Sequence, residues 1–571
     1  MITSDHFAAA ELARLCHAKG IRHAVISPGS RSAPLVIAFN AQEGMNCLRV
    51  IDERSAAFFA LGMAQQLHAP VALICTSGSA VLNYGPAVAE AFYQRVPLLV
   101  ISADRPEEWV DQGEGQAIRQ QGVLGPHMRR SVQLPRVTPD ALARWHCVRL
   151  INEAIDATLL PVPGPVHVNV PFAEPLYGTA APASGRSGEE EAPRGPDTIA
   201  QVMTEPFILP EHAGWLIAQL SACAKVMVLA GQGRWSDGLK AQLKRAASLP
   251  QVTVHTEATS NLDDDTFITC IDRAIEGVNE RNGNDLKPDL LITFGGAVVS
   301  KRIKGLLRKW KPAMHWNVDV GQRHYDTYQG LTHDIAVSPE VFFAQIMNGV
   351  QGNGSIYGEA WRMVDQRTRG AHHRFLAEAP FCDLSVFAVL NDRIPADSDV
   401  HVANSTPVRY VQLFDRVRGH RWSGNRGTSG IDGCTSTAVG AAFATNRITT
   451  LITGDTAFCY DGNAFWNGHL SPLLKIIVID NGGGNIFRYI EGPDKDPDLL
   501  KWFEAPHGRD IEKLVKSYGL PYYHANDQAS LASGIDKLYA AHDRPALLHI
   551  TTDALTSPKV LRDYFNQLRS S

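Results

Sequence analysis

No run of about 18 uncharged apolar residues occurs in the 571-residue chain, which argues against a membrane-spanning helix. No two of its nine cysteines have the C-x-x-C spacing, and their scatter suits reduced thiols in a cytoplasmic protein better than a disulfide framework. Positive charge is not in excess: 54 Lys and Arg stand against 59 Asp and Glu, a net charge of −5. That balance offers no electrostatic footprint for nucleic acid or an anionic membrane. The opening Met1-Ile-Thr-Ser-Asp-His-Phe-Ala8 lacks a basic stretch ahead of an apolar core, so no secretory signal is expected. No short-period repeat is present either, which excludes a solenoid.

What is present is a soluble, globular composition, 44% hydrophobic and 20% charged, on a chain long enough for two to four domains. Short β-branched runs alternate with longer segments of helical period from end to end, the pattern of parallel sheets built from βαβ units. The expected strands are 23–27, 71–76, 98–102 and 166–170, then 226–230, 252–255, 290–294 and 315–318, and finally 400–403, 449–453, 476–479 and 547–550. This predicts an α/β fold of three doubly wound parallel-sheet domains, at 1–180, 198–355 and 356–571. Residues 181–197, rich in Gly, Ser, Pro and Glu, cannot bury enough apolar surface to order themselves and are read as a linker.

Chemistry-bearing residues gather where strands end. Leu451-Ile-Thr-Gly-Asp-Thr456 and Leu474-Lys-Ile-Ile-Val-Ile-Asp-Asn481 are apolar runs that finish in oxygen-bearing side chains. The chain between Asp455 and Asn481 is long enough for a crossover helix and a return strand, so two hard oxygen ligands would stand side by side at adjacent strand tips. Such a pair suits a magnesium ion that keeps some water and takes further ligands from phosphates. Ser30, Arg31 and Ser32 follow the first strand in a Pro-Gly turn, at the carboxyl edge where open α/β sheets bind ligands. On these residues alone a plain turn with Ser32 near a helix N-cap is the favoured account. Glu53 stands where a strand end meets an Ala-rich helix; it suits the helix dipole, or an acid–base partner for a heterocycle. Thr76-Ser-Gly78 and Ala103-Asp-Arg105 also follow strands. Ser423 to Thr437 is a glycine-rich helix entry in which Ile431 is the one bulky aliphatic residue.

The Gly454-Asp455 and Asn481 half-signatures resemble the diphosphate site of thiamine diphosphate (ThDP) enzymes, with Thr456 in place of a glycine and Asp480 in place of an asparagine. With Pro28-Gly-Ser-Arg-Ser32, Asp52-Glu-Arg54, Thr76-Ser-Gly-Ser79, Ala103-Asp-Arg-Pro106, Gln116-Ala-Ile-Arg-Gln120, Pro171-Phe-Ala-Glu-Pro-Leu-Tyr177, Ser300-Lys-Arg302, Asn404-Ser405, Asn425-Arg-Gly-Thr-Ser-Gly-Ile-Asp-Gly433 and Gly482-Gly-Gly-Asn-Ile-Phe487 in order, the chain resembles the 2-succinyl-5-enolpyruvyl-6-hydroxy-3-cyclohexene-1-carboxylate synthases, ThDP enzymes of menaquinone biosynthesis. The resemblance implies decarboxylation of 2-oxoglutarate and conjugate addition of the resulting succinyl carbanion equivalent to isochorismate, with the cofactor as electron sink.

The resemblance also assigns residues. Glu53 would hydrogen-bond N1′ of the aminopyrimidine and favour its imino tautomer. Thr76, Ser77, Gly78, Ser405, Ser429, Gly430, Ile431, Gly454, Asp455, Thr456, Asn481, Gly483, Asn485, Ile486 and Phe487 would line the cofactor, with Ile431 wedged between its rings. The side chains of Asp455 and Asn481 and the Gly483 carbonyl would hold Mg²⁺, with Mn²⁺ as an alternative, and Asp480 would add a carboxylate nearby. Arg31, Arg105, Lys301, Arg409 and Arg426 would bind substrate carboxylates, beside Ser30, Gln116 and Ser405 as neutral partners and Ile486 and Phe487 as an apolar wall. A homodimer is the implied minimum, with a dimer of dimers common in the superfamily. The nearest rival is another 2-oxoacid decarboxylase or carboligase of the same superfamily. A flavin-bearing relative is disfavoured because Gly231-Gln-Gly233 has no third glycine at dinucleotide spacing. A non-catalytic protein on the same scaffold is disfavoured because Glu53, Asp455 and Asn481 are all retained.

Overall fold

The computed structural model describes residues 2–136, 140–181, 198–321, 324–416, 419–489, 492–541 and 543–571. The expected linker at 181–197 lies, apart from its first residue, outside the described residues. Three parallel sheets with helices form the α/β architecture that the sequence predicts, and the chain divides into two compact units.

The first unit comprises Met1–Met203 together with Gly427–Asn446 and Tyr460–Leu474. Its six-stranded sheet runs in the order Asn46–Arg49, His23–Ile26, Val71–Cys75, Leu98–Asp104, Pro165–Pro171, Arg130–Gln133, every pair parallel. Val71–Cys75 and Leu98–Asp104 are buried along their whole length, as expected of central strands covered on both faces. Leu12, Phe39, Ile74, Ile101, Ile151 and Val168 belong to the core on one face.

The helix Glu53–Leu67 starts because Asp52 caps it, its side chain accepting from Ser55 N at 3.0 Å, and stops where His68 turns left-handed at φ 51°. Its small residues let the helix Cys434–Phe443 approach backbone to backbone. A Cβ on Gly62 would fall 1.9 Å from the Thr437 carbonyl oxygen, and one on Gly440 would fall 2.0 Å from that of Phe59. Ser55 and Ser436 hydroxyls meet across the seam at 2.9 Å.

Below this seam Asp461 is fully buried, accepting from Ser436 N at 2.6 Å and Ser436 Oγ at 2.8 Å. Burial pushes its carboxyl up to about 7. The folded chain therefore holds a proton that the unfolded chain has already released, and this group lowers stability as pH rises from about 4 towards 7, by about 1.4 kcal/mol per pH unit. Asp461→Asn should gain on the wild type by about that amount per pH unit between pH 5 and 7 in denaturant titrations. A difference that does not change with pH would refute the account.

The second unit comprises Thr204–Arg426, Arg447–Cys459 and Lys475–Ser571. Its five-stranded parallel sheet runs Val252–His255, Val226–Ala230, Leu290–Phe294, Met314–Val318, His333–Ile335, with apolar clusters on both faces. The other sheet is ordered Arg421–Ser423, Asp399–Val402, Thr449–Gly454, Leu474–Asp480, Ala546–Thr551, Tyr522–Ala525. Inside the unit, fully buried Arg273 reaches Asp415 at 2.8 Å and Asp365 at 3.4 Å, and so ties its own short helix Ile271–Ile275 to the helix Tyr357–Glu378. Among the described residues no helix is long and apolar enough to cross a membrane.

Candidate active site

In the first unit the sequence-nominated residues gather at strand ends. Thr76, Ser77 and Gly78 follow Val71–Cys75, and Thr76 packs so closely on Gly29 that a Cβ there would fall 2.2 Å from Thr76 Cβ. The Thr76 hydroxyl is buried with no hydrogen-bond partner among the described residues. An orphaned hydroxyl of this kind suits a ligand that carries polar groups. Gly78 has φ +83°, and a Cβ on it would meet Gln116 at 3.2 Å, so Gln116 and the Thr76 loop are brought together. Gln120 fixes this arrangement: it accepts from Gly78 N at 2.7 Å and donates to Asn169 Oδ1 at 2.9 Å.

Ser30 is exposed in the short turn Ser30–Ser32, while Arg31 is buried and donates to Phe172 O at 3.0 Å and to Glu174 at 3.1 Å. Ser32 precedes the helix Ala33–Ala41 without capping it, because its hydroxyl donates to Gly29 O at 2.9 Å instead. Arg105 Nε donates to Gly115 O at 2.8 Å, and its guanidinium lies 3.3 Å from Glu114.

Glu53 heads its helix half-buried. Burial raises its carboxyl above the ordinary range, opposed by a backbone hydrogen bond and assisted by the charge of Asp52. A raised carboxyl at a strand end is the kind of group that acid–base chemistry would require.

Ser429, Gly430 and Ile431 enter the helix Cys434–Phe443, with Ser429 at φ 64° and Ile431 half-exposed. Glu90, which the sequence did not single out, anchors this loop. Fully buried, it accepts from Gly427 N at 2.7 Å and from Thr428 N and Oγ1 at 2.6 Å each.

In the second unit Gly454 ends its strand and Asp455 opens the next helix, 2% exposed. Asp455 accepts from Thr456 N at 2.7 Å, and His507 Nε2 lies 3.2 Å from its other oxygen. Burial and the neighbouring Asp480 carboxylate push the Asp455 carboxyl up. Burial acts the same way on Asp480, but hydrogen bonds from His549, at 2.9 Å, and Gly482 N outweigh it and hold that carboxyl low. A buried carboxyl beside a second, half-buried carboxylate is a pair that a divalent cation would relieve.

Asn481 spends its amide N–H on Asp383 at 2.9 Å, leaving its oxygen as the free end. Gly483, at φ +136°, could carry no side chain, since a Cβ would fall 2.5 Å from Glu504 O. Its carbonyl accepts from Asn485 N at 2.8 Å and keeps a second lone pair. Asn485 Oδ1 is buried without a partner among the described residues. Ile486 is buried, and Phe487 is half-buried against Phe503, ring centroids 4.9 Å apart. No group of three or more His, Cys, Asp or Glu side chains among the described residues is placed to hold a metal. An ion here would draw on Asp455, the Asn481 amide, a backbone carbonyl and phosphate oxygens, the hard-oxygen set that magnesium prefers.

The same unit carries a crowd of cations. The Arg409 guanidinium donates to Ser405 O, and Arg426 Nη1 donates to Asn404 Oδ1 at 2.5 Å, so Ser405, Arg409 and Arg426 share one loop system. Burial, then the charge of Arg426, lowers the proton affinity of Arg409, opposed by Asp272. Exposed Lys301 is the first residue of the helix Lys301–Trp310, whose entry is held by fully buried Glu257, accepting from Val299 N at 2.6 Å and Ser300 N at 2.7 Å. Lys304, missed in the sequence, is lowered by burial and by the like charges of Arg426, Arg308 and Lys301, with Glu257 opposing.

Comparison with known proteins identifies the family. The family described as thiamine pyrophosphate enzyme, N-terminal TPP binding domain, matches residues 7–123, and the C-terminal TPP binding domain matches residues 405–550. A 2-succinyl-5-enolpyruvyl-6-hydroxy-3-cyclohexene-1-carboxylate synthase of Porphyromonas gingivalis is 38% identical over 99% of this chain and 98% of its own length. That of Flavobacterium johnsoniae is 40% identical over 98% of both chains, and that of Desulfotalea psychrophila 38% identical over 95% of this chain and 98% of its own. With relatives of this identity matching almost end to end, the chain belongs to the family of 2-succinyl-5-enolpyruvyl-6-hydroxy-3-cyclohexene-1-carboxylate synthases, enzymes that depend on thiamine pyrophosphate.

Proposed function

We propose that this chain, with Mg²⁺ as its divalent ion, decarboxylates 2-oxoglutarate and joins the succinyl fragment to isochorismate by conjugate addition. When bound, ThDP supplies the carbanion chemistry and the electron sink. The residues supply placement. Glu53 would accept a hydrogen bond from the pyrimidine ring and so hold a proton at the ring's N1′; Ile431 would shape the cofactor pocket; Asp455, Asn481 and the Gly483 carbonyl would hold the ion. Thr76, Ser77, Gly78, Ser405, Ser429, Gly430, Gly454, Thr456 and Asn485 line the cofactor, and Ile486 and Phe487 exclude water from the reacting side.

The observation that carries the substrate assignment is the crowding of Lys301, Lys304, Arg409 and Arg426. Like charges packed together raise one another's energy, and a ligand bearing two carboxylates relieves them. Arg31 and Arg105, with Ser30 and Gln116, supply the second group of anion contacts. The domain boundaries expected from the sequence, a homodimeric or tetrameric assembly and a cytoplasmic location complete the proposal, and nine free cysteines favour a reducing compartment.

The deciding experiment mixes purified protein with ThDP, Mg²⁺, 2-oxoglutarate and isochorismate and looks for the succinylated adduct by mass. Adduct formation is the expected result. Carbon dioxide release at the same rate without isochorismate, and no adduct with it, would mark a simple decarboxylase instead. Arg409→Ala should raise KM at least about tenfold for one of the two dicarboxylates, the loss of one charge-assisted contact, with ThDP affinity unchanged. Lost cofactor binding would contradict that role.

A further inference from the structure

Asp383 opens the helix Asp383–Arg393 with a fully buried carboxylate that nothing above employs. No Lys or Arg among the described residues pairs with it. Both of its oxygens are nonetheless committed: Oδ1 accepts from Thr552 Oγ1 at 2.6 Å, and Oδ2 from Asn481 Nδ2 at 2.9 Å. Its backbone N–H donates to Ser557 Oγ at 3.0 Å, which pins the helix start to the segment after the strand Ala546–Thr551.

A buried carboxylate without a cationic partner is costly to keep, so its contacts point to what retains it. An asparagine amide has nearly equal ends, an oxygen and an NH₂, and packing alone does not choose between them. A pure acceptor does choose. Facing Asp383, Asn481 must turn its NH₂ inward, which leaves the oxygen as the end it presents elsewhere.

We propose that Asp383 is a positioning residue for the divalent cation: by accepting the Asn481 N–H it aims the amide oxygen at the ion. The proposal rests on the reading of Asn481 as a ligand. Groups behind metal ligands typically contribute 10- to 100-fold to metal affinity.

The test titrates Mn²⁺ into the full chain with ThDP present, followed by electron paramagnetic resonance, with melting curves alongside. Asp383→Ala should weaken Mn²⁺ binding about 10- to 100-fold. Asp383→Asn should stay within about threefold, since its oxygen still accepts from Asn481 while its NH₂ turns to the Thr552 hydroxyl. Wild-type affinity in Asp383→Ala, or equal losses in both variants, would overturn the proposal. Asn481→Ala separates the two layers: unchanged Mn²⁺ affinity there would remove the underlying assignment of Asn481 itself.

Should Asp383→Ala not fold, the polarity of the bond can be reversed. Asn481→Asp sets two carboxylates against each other, and adding Asp383→Asn restores a donor facing an acceptor. The double variant should bind Mn²⁺ at least about tenfold more tightly than Asn481→Asp alone, and no recovery would also overturn the proposal.

Discussion

Glu53→Gln should cut turnover by about 10²- to 10⁴-fold while ThDP affinity stays within about tenfold. Glutamine keeps the size and seat of the side chain at the head of the helix Glu53–Leu67, so a pyrimidine site there would be preserved. What it loses is an anionic acceptor whose carboxyl is already raised by burial, the property that lets a carboxylate share a proton with a ring nitrogen. Turnover measured at saturating cofactor, beside a fluorescence titration of ThDP, separates the two quantities. Unchanged turnover would eliminate the activation route; lost binding would make Glu53 a structural residue.

Asp455→Asn should weaken Mg²⁺-dependent ThDP retention at least about 100-fold and, without cofactor, leave the protein as stable as the wild type or more so. The two effects have opposite signs for one reason. Asp455 is buried beside Asp480, and burial together with the Asp480 charge pushes the Asp455 carboxyl up. Replacing the carboxyl relieves that cost in the empty protein and, on the proposed assignment, would remove the one charged ligand from the loaded one. Equilibrium dialysis with and without Mg²⁺, together with melting curves of the cofactor-free forms, reads both. A destabilised variant that still retains ThDP would contradict both halves.

The parts of the fold legible in sequence are those the core covers on both faces. Val226–Ala230 and Leu290–Phe294 were readable with their bounds, because each is a central, fully buried run, and Val252–His255, although an edge strand with Thr253 and His255 on one face, was readable because it too is buried along its whole length. Asn46–Arg49, Arg130–Gln133, His333–Ile335, Arg421–Ser423 and Tyr522–Ala525 were not readable, and all five are edge strands that, unlike Val252–His255, are only partly buried. Solvent on one side breaks their apolar run into fragments too short to stand out from a loop.

The candidate site divides in a similar way. Asp455 and Asn481 announce themselves by closing apolar runs, and Glu53 by standing between a strand end and a helix. Glu90, Gln120, Glu257 and Asp383 do not, since what each of them holds lies 337, 42, 42 and 98 residues away in sequence. No local spacing carries that information; only the folded chain brings donor to acceptor. Lys304 was lost among 54 basic residues, because its distinction is the company of Arg426 and Lys301 and not its own charge.

The close approach of Gly62 to Thr437 and of Gly440 to Phe59 constrains how this gene can be cut and shuffled. The amino-terminal third is not a self-sufficient piece: severed from residues 427–446, the Glu53 helix would face water along the stripe that Thr437 and Ala441 now cover. A fusion or exchange has to carry both stretches, though most of the chain separates them. Any methyl gained at position 62 must be answered by a retreat of the backbone at Thr437 and Ala441, so the two helices are bound to a common history.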